Sequence, residues 1–367
     1  MQIDQSLPIL YGLSKKGKVK QWRTWVEENE DGTAMINVES GYVGGKIRLS
    51  PKLIKKGKNI GKSNETTPFT QALSEVKSAW SKRRNVNYEL EIMDPNNYVP
   101  RVMLPQLAKD PKKGKIVFPC YIQPKLNGVC NLTEDIKSEI LHHTRGGKLF
   151  TAVSHLDKYI SQMNTPAPLH GELYKHGWSL QKISSYTKKL KPDSHLLEYW
   201  VYDIAWLGIP FGDRLTYLTS HIPQSTNIPI KMTPTFLVNN YAEAKAYHDS
   251  FVADGFEGAI LKNIAGFYIF EFRSDNIEKM KDFQNAEFEI VGGKEGVGTD
   301  TGCIIYRCKI ESGLEFDVRP RGTVEERQEL FINLPNDIGE MLTIRFPEYT
   351  DSGLPSQPVG IVVRDYE

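Results

Sequence analysis

The sequence has few cysteines, no long apolar run and no marked excess of either charge. Four cysteines occur among 367 residues, without a CxxC pair or paired histidine ligands: Cys120, Cys130, Cys303 and Cys308. This spacing argues against a disulfide framework and against a zinc site, so we expect four free thiols. No run of about 18 apolar residues occurs, and the N-terminus MQIDQSLPILYG lacks the features of a signal peptide. These absences predict an intracellular protein without a membrane partner.

The net charge of +1 conceals one strongly basic segment. Seven basic residues and no acidic residue occur between positions 46 and 62: Lys46, Arg48, Lys52, Lys55, Lys56, Lys58 and Lys62. Such a segment can neutralise nucleic-acid phosphates and release their counterions. A solvated surface loop is the alternative interpretation.

The chain is long enough for two or three domains. Residues 8–50 alternate short strand-like runs with turns, and residues 66–84 carry apolar positions at helical spacing. They predict a small β-rich N-terminal domain over residues 1–100, closed by a helix and followed by the proline-punctuated connector MDPNNYVPRVMLP. Residues 101–284 mix strand-like runs with the helical runs TAVSHLDKYISQM and YAEAKAYHDSFVAD, which predicts an α+β domain built on antiparallel sheets. Residues 285–367 are nearly all strand-like and suit a small Greek-key barrel.

Two glycine-rich stretches resemble nucleotide-binding motifs without matching them. GKNIGKS, residues 57–63, has three residues between its glycines where a P-loop requires four, and no apolar strand precedes it. GGKEGVGTDTG, residues 292–302, lies between strands and does not open a helix, so it fails the dinucleotide fingerprint. We interpret the second as a mobile loop between barrel strands.

The most informative pattern is a series of motifs in a fixed order. It comprises Lys125 in KLNG, Arg145 in HTRGG, Glu172 in HGELY, Tyr202 and Asp203 in WVYDIAW, Glu257 and Lys262 in FEGAILKN, and Lys279 and Lys281 in EKMKDF. Over about residues 115–283 this order resembles the covalent nucleotidyltransferase superfamily, which contains the ATP-dependent DNA ligases, the RNA ligases and the mRNA capping enzymes. The tail resembles the oligonucleotide-binding (OB-fold) barrel that follows this domain in ligases, and its end resembles a phage or viral ligase.

The resemblance implies that Lys125 attacks ATP and carries AMP covalently. A lysine attacks phosphorus only as the free amine, and its ordinary pKa near 10.4 leaves little of that form at neutral pH. The resemblance places Lys279 and Lys281 near the same phosphate, where they would lower the pKa of Lys125 and stabilise the phosphoryl oxygens.

The remaining motif residues would bind the nucleotide and a metal ion. Glu172 and Glu257 would hold the ribose hydroxyl or Mg²⁺, a cation that prefers oxygen ligands. Tyr202 would lie against the purine, although core packing explains it equally well, and Gln123 would read the adenine edge. Arg145 would contact the ribose or the nick phosphate. Lys262 is expected in the same nucleotide site.

Three residues depart from the superfamily pattern. The first motif is usually KxDG followed by a residue and an arginine, whereas Asn127 and Cys130 stand at the aspartate and arginine positions. His170 stands where the third motif commonly has aspartate. Loss of the arginine would weaken sealing more than nucleotide capture.

These observations predict an ATP-dependent DNA ligase that closes as a monomer around nicked duplex DNA, in the host cytoplasm if it is phage-encoded. The basic segment, Arg345 and Arg364 would grip DNA phosphates, and Arg345 and Arg364 would alternatively orient the leaving pyrophosphate. The N-terminal strands resemble a small DNA-binding module of viral ligases, in which Trp22 and Trp25 suit the core as well as a DNA contact. The alternatives are an RNA ligase, a capping guanylyltransferase, and a nick-binding protein with impaired sealing.

Overall fold

The computed structural model describes residues 7–14, 17–95, 104–110, 113–136, 139–223, 225 and 227–364. The predicted N-terminal strands form one antiparallel sheet in the order β4-β3-β2-β1-β5, comprising β1 (Leu10–Leu13), β2 (Val19–Glu28), β3 (Ala34–Tyr42), β4 (Ile47–Ile54) and β5 (Tyr88–Glu89). Helix α1 (Pro68–Arg84) packs Ala72 and Val76 against this sheet. Thr67 caps the helix by accepting a hydrogen bond from the Thr70 amide, and Pro68 suits the first turn. The predicted strands and helix are confirmed, whereas the predicted boundary near residue 100 lies outside the described residues.

Residues 104–280 build two five-stranded sheets. One has the order β12-β11-β10-β8-β9 and the other has the order β13-β7-β14-β15-β6. Their strands are β6 (Leu107–Lys109), β7 (Cys120–Lys125), β8 (Val129–Ile136), β9 (Glu139–Thr144), β10 (Leu169–Tyr174), β11 (Glu198–Ile204), β12 (Ile230–Met232), β13 (Phe236–Val238), β14 (Gly258–Asn263) and β15 (Arg273–Met280). The α+β class is confirmed, but the sheets are not wholly antiparallel, because β11 with β12 and β15 with β6 pair in parallel.

Four helices accompany these sheets: α2 (Asp157–Ile160), α3 (Leu180–Lys188), α4 (Phe211–His221) and α5 (Tyr241–Ala253). Helix α5 is confirmed. The run TAVSHLDKYISQM is helical only over α2 and a preceding 3₁₀ turn, Ser154–Leu156. Helices α3 and α4 were not predicted.

The C-terminal strands close into a barrel in the order β16-β17-β18-β20-β19. They are β16 (Gln284–Glu295), β17 (Ile304–Lys309), β18 (Glu315–Pro320), β19 (Met341–Phe346) and β20 (Val359–Arg364). The barrel begins one residue before the predicted boundary, and its core includes Ile290, Tyr306 and Leu342. The expectation of a nearly all-strand tail is wrong at helix α6 (Val324–Asp337), which follows a Thr323–Glu326 capping box.

Neither glycine-rich stretch forms a phosphate-binding loop at a helix start. Residues 57–63 form bends and turns, and the next helix begins only at Pro68. Residues 292–295 belong to β16, so the expected mobile loop is shorter than residues 292–302. All four cysteines are free. Within the described ranges, no helix combines the length and apolar composition needed to cross a bilayer.

Residues 104–280 form the middle unit, and the central strand β14 sets its geometry, because β14 pairs with β7 on one side and with β15 on the other. Gly258 lies opposite Lys125 and Ile260 lies opposite Lys279. Gly258 has φ of +145°, and a Cβ atom there would lie 2.3 Å from the Met280 carbonyl oxygen. A glycine is therefore required where the lysine-bearing strands meet.

Candidate active site

A cleft between the two sheets of the middle unit contains two adjoining cavities of about 190 and 570 Å³. They share Lys125, Arg145, Glu172 and Lys279 among their walls. All nine residues predicted for the nucleotide site line one or both: Gln123, Lys125, Arg145, Glu172, Tyr202, Glu257, Lys262, Lys279 and Lys281. The structure therefore brings the separate motifs together in one place.

Another cavity, of about 360 Å³, shares no residue with this cleft. None of the nine residues predicted for the nucleotide site lines it. We therefore assign the chemistry to the cleft that contains Lys125.

Lys125 ends β7 and forms an ion pair with Glu257, the residue just before β14. The other carboxylate oxygen of Glu257 lies 2.6 Å from Lys281 Nζ, so Glu257 bridges two lysines. All three side chains are less than one fifth exposed. Burial opposes ionisation of Glu257, but the two ammonium groups outweigh it and hold its pKa below the ordinary value. The resemblance implied that the lysines lie near a common phosphate, and the structure adds a carboxylate between Lys125 and Lys281.

Lys279, two residues before Lys281, has a different acidic partner from Lys281. Its Nζ atom is 3.5 Å from Asp110, a residue that sequence reasoning missed. Burial lowers the pKa of Lys279, and the positive charge of Lys125 contributes in the same direction. Lys279 and Lys281 therefore both face the Lys125 end of the cleft, each with its own counter-ion.

The opposite wall consists of Glu172, Tyr202 and His170. The Tyr202 hydroxyl donates to Glu172 over 3.4 Å and lies 3.1 Å from His170 Nε2, and Tyr268 meets His170 Nδ1 at 2.8 Å. Burial raises the pKa of Glu172 to about 8, although nearby Lys125 acts in the other direction. Burial also lowers the pKa of His170 to about 3, so its ring is neutral at physiological pH. This wall presents a carboxyl group that is easily protonated and a fixed aromatic ring.

Gln123 and Lys262 form the floor of the cleft and are almost completely buried. The Gln123 amide donates to the Tyr202 carbonyl at 3.2 Å and to the Thr235 hydroxyl at 2.9 Å. Lys262 Nζ donates to the same Tyr202 carbonyl at 2.8 Å and to Asp203 at 3.2 Å. Burial lowers the pKa of Lys262 to about 8. These bonds join the two sheets beneath the Tyr202 ring.

The chain aligns with viral enzymes over most of its length. It is 28% identical to a DNA ligase of African swine fever virus (isolate Tick/South Africa/Pretoriuskop Pr4/1996), and the alignment covers 92% of this chain and 85% of that protein. The DNA ligase of a second isolate, Tick/Malawi/Lil 20-1/1983, is 27% identical over the same shares. The family model for the ATP dependent DNA ligase domain matches residues 120–281. Residues 120–281 therefore resemble an ATP-dependent DNA ligase domain.

Solved ligase structures share this fold. A Lig E DNA ligase superposes with a TM-score of 0.59 at 20% identity, covering 71% of this chain and 98% of that one. The structure Pmar-Lig_Pre superposes with a TM-score of 0.61 at 17% identity, covering 81% of this chain and 72% of that one. The matched residues 120–281 of this chain contain every motif residue from Gln123 to Lys281.

The residues that depart from the family pattern have partners in this structure. Cys130 Sγ lies 3.6 Å from His170 Nε2, so the residues at the usual arginine and aspartate positions contact each other. Burial raises the pKa of the Cys130 thiol, and both members of the pair are therefore neutral. Asn127 donates to both carboxylate oxygens of Glu348, in the barrel.

Arg145 is exposed in the turn after β9 and lines both cavities, so the turn itself forms part of the cleft. The other two predicted arginines do not line these cavities. Arg345 stacks over Phe283, with 4.2 Å between the guanidinium carbon and the ring centroid. Arg364 donates to Glu287 at 3.0 Å and to Thr343 at 2.8 Å within the barrel.

The seven basic residues from Lys46 to Lys62 are all exposed, but they do not form one loop. Two of them, Arg48 and Lys52, lie on the edge strand β4. Although the segment itself has no acid, Glu75 of α1 lies 2.7 Å from Lys52 and 3.4 Å from Lys58. The structure therefore reduces the positive charge that these two lysines offer.

The two N-terminal tryptophans differ in their surroundings. Trp22 is 4% exposed and packs beneath Arg83, whereas Trp25 is half-buried and donates to Glu27 at 2.8 Å. Trp22 is accordingly a core residue of the N-terminal unit.

Proposed function

We propose that this chain is a DNA ligase that seals nicks in duplex DNA through a lysyl-AMP intermediate. Lys125 Nζ attacks the α-phosphorus of ATP and displaces pyrophosphate. The AMP then moves to the 5′-phosphate of the nick, and the adjoining 3′-hydroxyl displaces it as the phosphodiester forms. The observation that carries this proposal is the bridge of Glu257 between Lys125 and Lys281, in a cleft whose two cavities together are lined by every motif residue.

In this mechanism Glu257 is the group nearest to the proton that Lys125 must lose, because it already accepts a hydrogen bond from that amine. Lys279 and Lys281 would stabilise the negative charge that develops on the phosphoryl oxygens. Tyr202 would stack on the purine. Because the Gln123 amide nitrogen is engaged by the protein, a contact with adenine would use its amide oxygen.

Glu172 and Glu257 provide a donor set that suits Mg²⁺, since two carboxylates and the substrate's phosphate oxygens are all hard oxygen ligands. The pKa of about 8 at Glu172 means that a bound cation would displace its proton at neutral pH. Mg²⁺ would supply charge neutralisation at the phosphates. Arg145 would contact the ribose or the nick phosphate from its turn beside the same cavity.

The flanking units would hold the duplex, the chain acting as a monomer that closes around DNA. The five-stranded closed barrel is consistent with an OB-fold, and the exposed basic residues Lys46, Arg48, Lys55, Lys56 and Lys62 would neutralise phosphates together with Arg345 and Arg364. That these basic residues face the DNA backbone, and that the protein is intracellular, both stay predictions.

A single assay separates capture from sealing. The purified protein is incubated with Mg²⁺, ATP and a nicked DNA duplex, and both protein mass and product length are measured. We expect the mass of one AMP on the protein and a sealed strand; Lys125→Arg should abolish both, whereas Lys189→Arg, at an exposed lysine, should change neither. AMP capture by the Lys125→Arg protein would refute the assignment.

Substrate variants of the assay test the other candidates. Preferential sealing of nicked RNA would indicate an RNA ligase, and labelling by GTP instead of ATP would indicate a guanylyltransferase. A gel shift of nicked DNA without any sealing would indicate a nick-binding protein.

A further inference from the structure

The loop between β19 and β20, residues 347–358, joins the barrel to the cleft. Asn127 Nδ2 donates to the two carboxylate oxygens of Glu348 at 3.0 and 3.1 Å. Farther along the same loop, Asp351 accepts a hydrogen bond of 2.8 Å from the Ser179 hydroxyl at the start of α3. Glu348 also lines the larger cavity together with Lys125 and Lys281. The barrel is thus attached to the middle unit at the mouth of the lysine site.

The charges at this mouth explain why an amide suits position 127. Lys125 and Lys281 are already paired with Glu257, and Glu348 brings a second carboxylate. An asparagine can donate two N–H groups, whereas an ionised aspartate can only accept. The family's usual aspartate would place a further negative charge against Glu348, and like charges in a partly buried site repel strongly.

We propose that Asn127 is a positioning residue that docks the barrel over the cleft through Glu348. The departure at residue 127 is then matched to the barrel loop and is no mark of a weakened enzyme. The proposal rests on the proposed function, because docking matters for catalysis only if Lys125 captures AMP in this cleft. A docked barrel would shield that site from water and complete its walls.

The test reverses the direction of the hydrogen bond in the full-length, nucleotide-free protein. Hydrogen exchange is measured on the loop, where the amides of Thr350, Gly353 and Ser356 are bonded to loop carbonyls. Asn127→Asp should speed exchange there by roughly threefold or more, as expected for coupled contacts. The double variant Asn127→Asp with Glu348→Gln should return it towards the original rate, because the new amide can donate to the new carboxylate.

Two controls accompany the comparison of the single and double variants. Glu289→Gln alters an acid that pairs with Lys309 inside the barrel, so it should leave loop exchange unchanged. Exchange in β16 and β17 shows whether each variant retains its barrel.

The rate of AMP capture at saturating ATP provides the functional measurement, since it should fall in Asn127→Asp and recover in the double variant. Equal loop exchange in all variants, or a double variant that shows only the combined effects of the two single changes, would overturn the proposal. Lys125→Arg should keep the original loop exchange while losing capture. If the unmodified protein captures no AMP but the exchange rates are coupled, the proposed function fails and the docking role stands.

Discussion

Asp203→Asn should destabilise the middle unit strongly, because Asp203 is shared by two buried cations. Arg214 Nε and Nη2 donate to its carboxylate at 2.8 and 3.1 Å, and Lys262 Nζ lies 3.2 Å away. The three side chains are 2%, 2% and 5% exposed. Asparagine has nearly the same shape but no charge, so the two cations would face each other without an anion.

Removing one partner from a buried ion pair costs about 3–5 kcal/mol. For a unit of this size, 1 kcal/mol corresponds to about 2–4 °C in the unfolding midpoint, so we expect a decrease of roughly 6–20 °C. Differential scanning calorimetry is the suitable assay, because a chain with several units need not unfold in one transition. Asp213→Asn is the matched control: this exposed residue in the first turn of α4 should cost only about 0.3–1 kcal/mol. A midpoint for Asp203→Asn equal to that of the control would refute the reasoning.

The pH dependence provides an independent check on the same variant. The pKa of Lys262 is lowered by burial from 10.5 to about 8, so the unfolded state binds more protons between these values and stability rises with pH across this window. Without Asp203 the pKa of Lys262 should fall further, because Arg214 then has no opposing anion. The variant should therefore start to recover stability at a lower pH than the unmodified protein, and its deficit should shrink above that pH.

Three further predictions concern the cleft and the DNA surface. Because burial raises the pKa of Glu172 from 4.5 to about 8, the free energy of unfolding should fall as pH rises through this window. Glu172→Gln should abolish this fall, as measured by denaturant titrations at several pH values. An unchanged pH profile in the variant would contradict the buried acid. His170→Asp alone should destabilise the protein by placing a second carboxylate beside Glu172. Adding Cys130→Arg should recover about 0.5–3 kcal/mol of the free energy of unfolding if the two positions are coupled. Additive effects would show that the contact between the two positions is unimportant. The double variant Lys55→Ala with Lys56→Ala should weaken the salt dependence of duplex binding. The slope of the logarithm of the binding constant against the logarithm of the salt concentration should decrease in magnitude by about 0.9 for each phosphate that these lysines neutralise. A slope equal to that of the unmodified protein would show that these lysines are not part of the interface.

The cleft was predictable because its residues occur in short motifs whose chemistry is local. KLNG, HGELY and FEGAILKN each contain a reactive group within three positions of a glycine, and strand pairing brings those groups together. The glycines meet close backbone neighbours: a Cβ atom at Gly128 would lie 2.5 Å from the Leu173 carbonyl oxygen. The order of the motifs along the chain therefore predicts the charged residues that the cleft brings together, but not most of its lining.

The contacts between distant residues were not predictable from local pattern. Glu75 neutralises Lys52 across 23 positions, and Asn127 meets Glu348 across 221 positions. The contact of Cys130 with His170 depends on the register between β8 and β10. Such pairings depend on how the sheets and the barrel are arranged in three dimensions.

Helix α6 was missed for a different reason. Pro335 within it suggests an interruption, and few of its residues are buried, so its apolar pattern is weak. The Thr323–Glu326 capping box is the sequence signal that indicates this helix.

The pairing of β14 with both β7 and β15 also has an evolutionary consequence. Side chains alternate between the two faces of a strand. A single-residue insertion or deletion within Gly258–Asn263 would therefore turn Lys262 away from the cleft, and it would shift Glu257 out of register with Lys125 and Lys281. Point substitutions on this strand can be compensated one at a time, whereas a change in its length alters three motifs at once. Length variation among descendants of this chain should therefore accumulate in its connecting loops, and a split or permuted version of the enzyme should be cut there and not in β14.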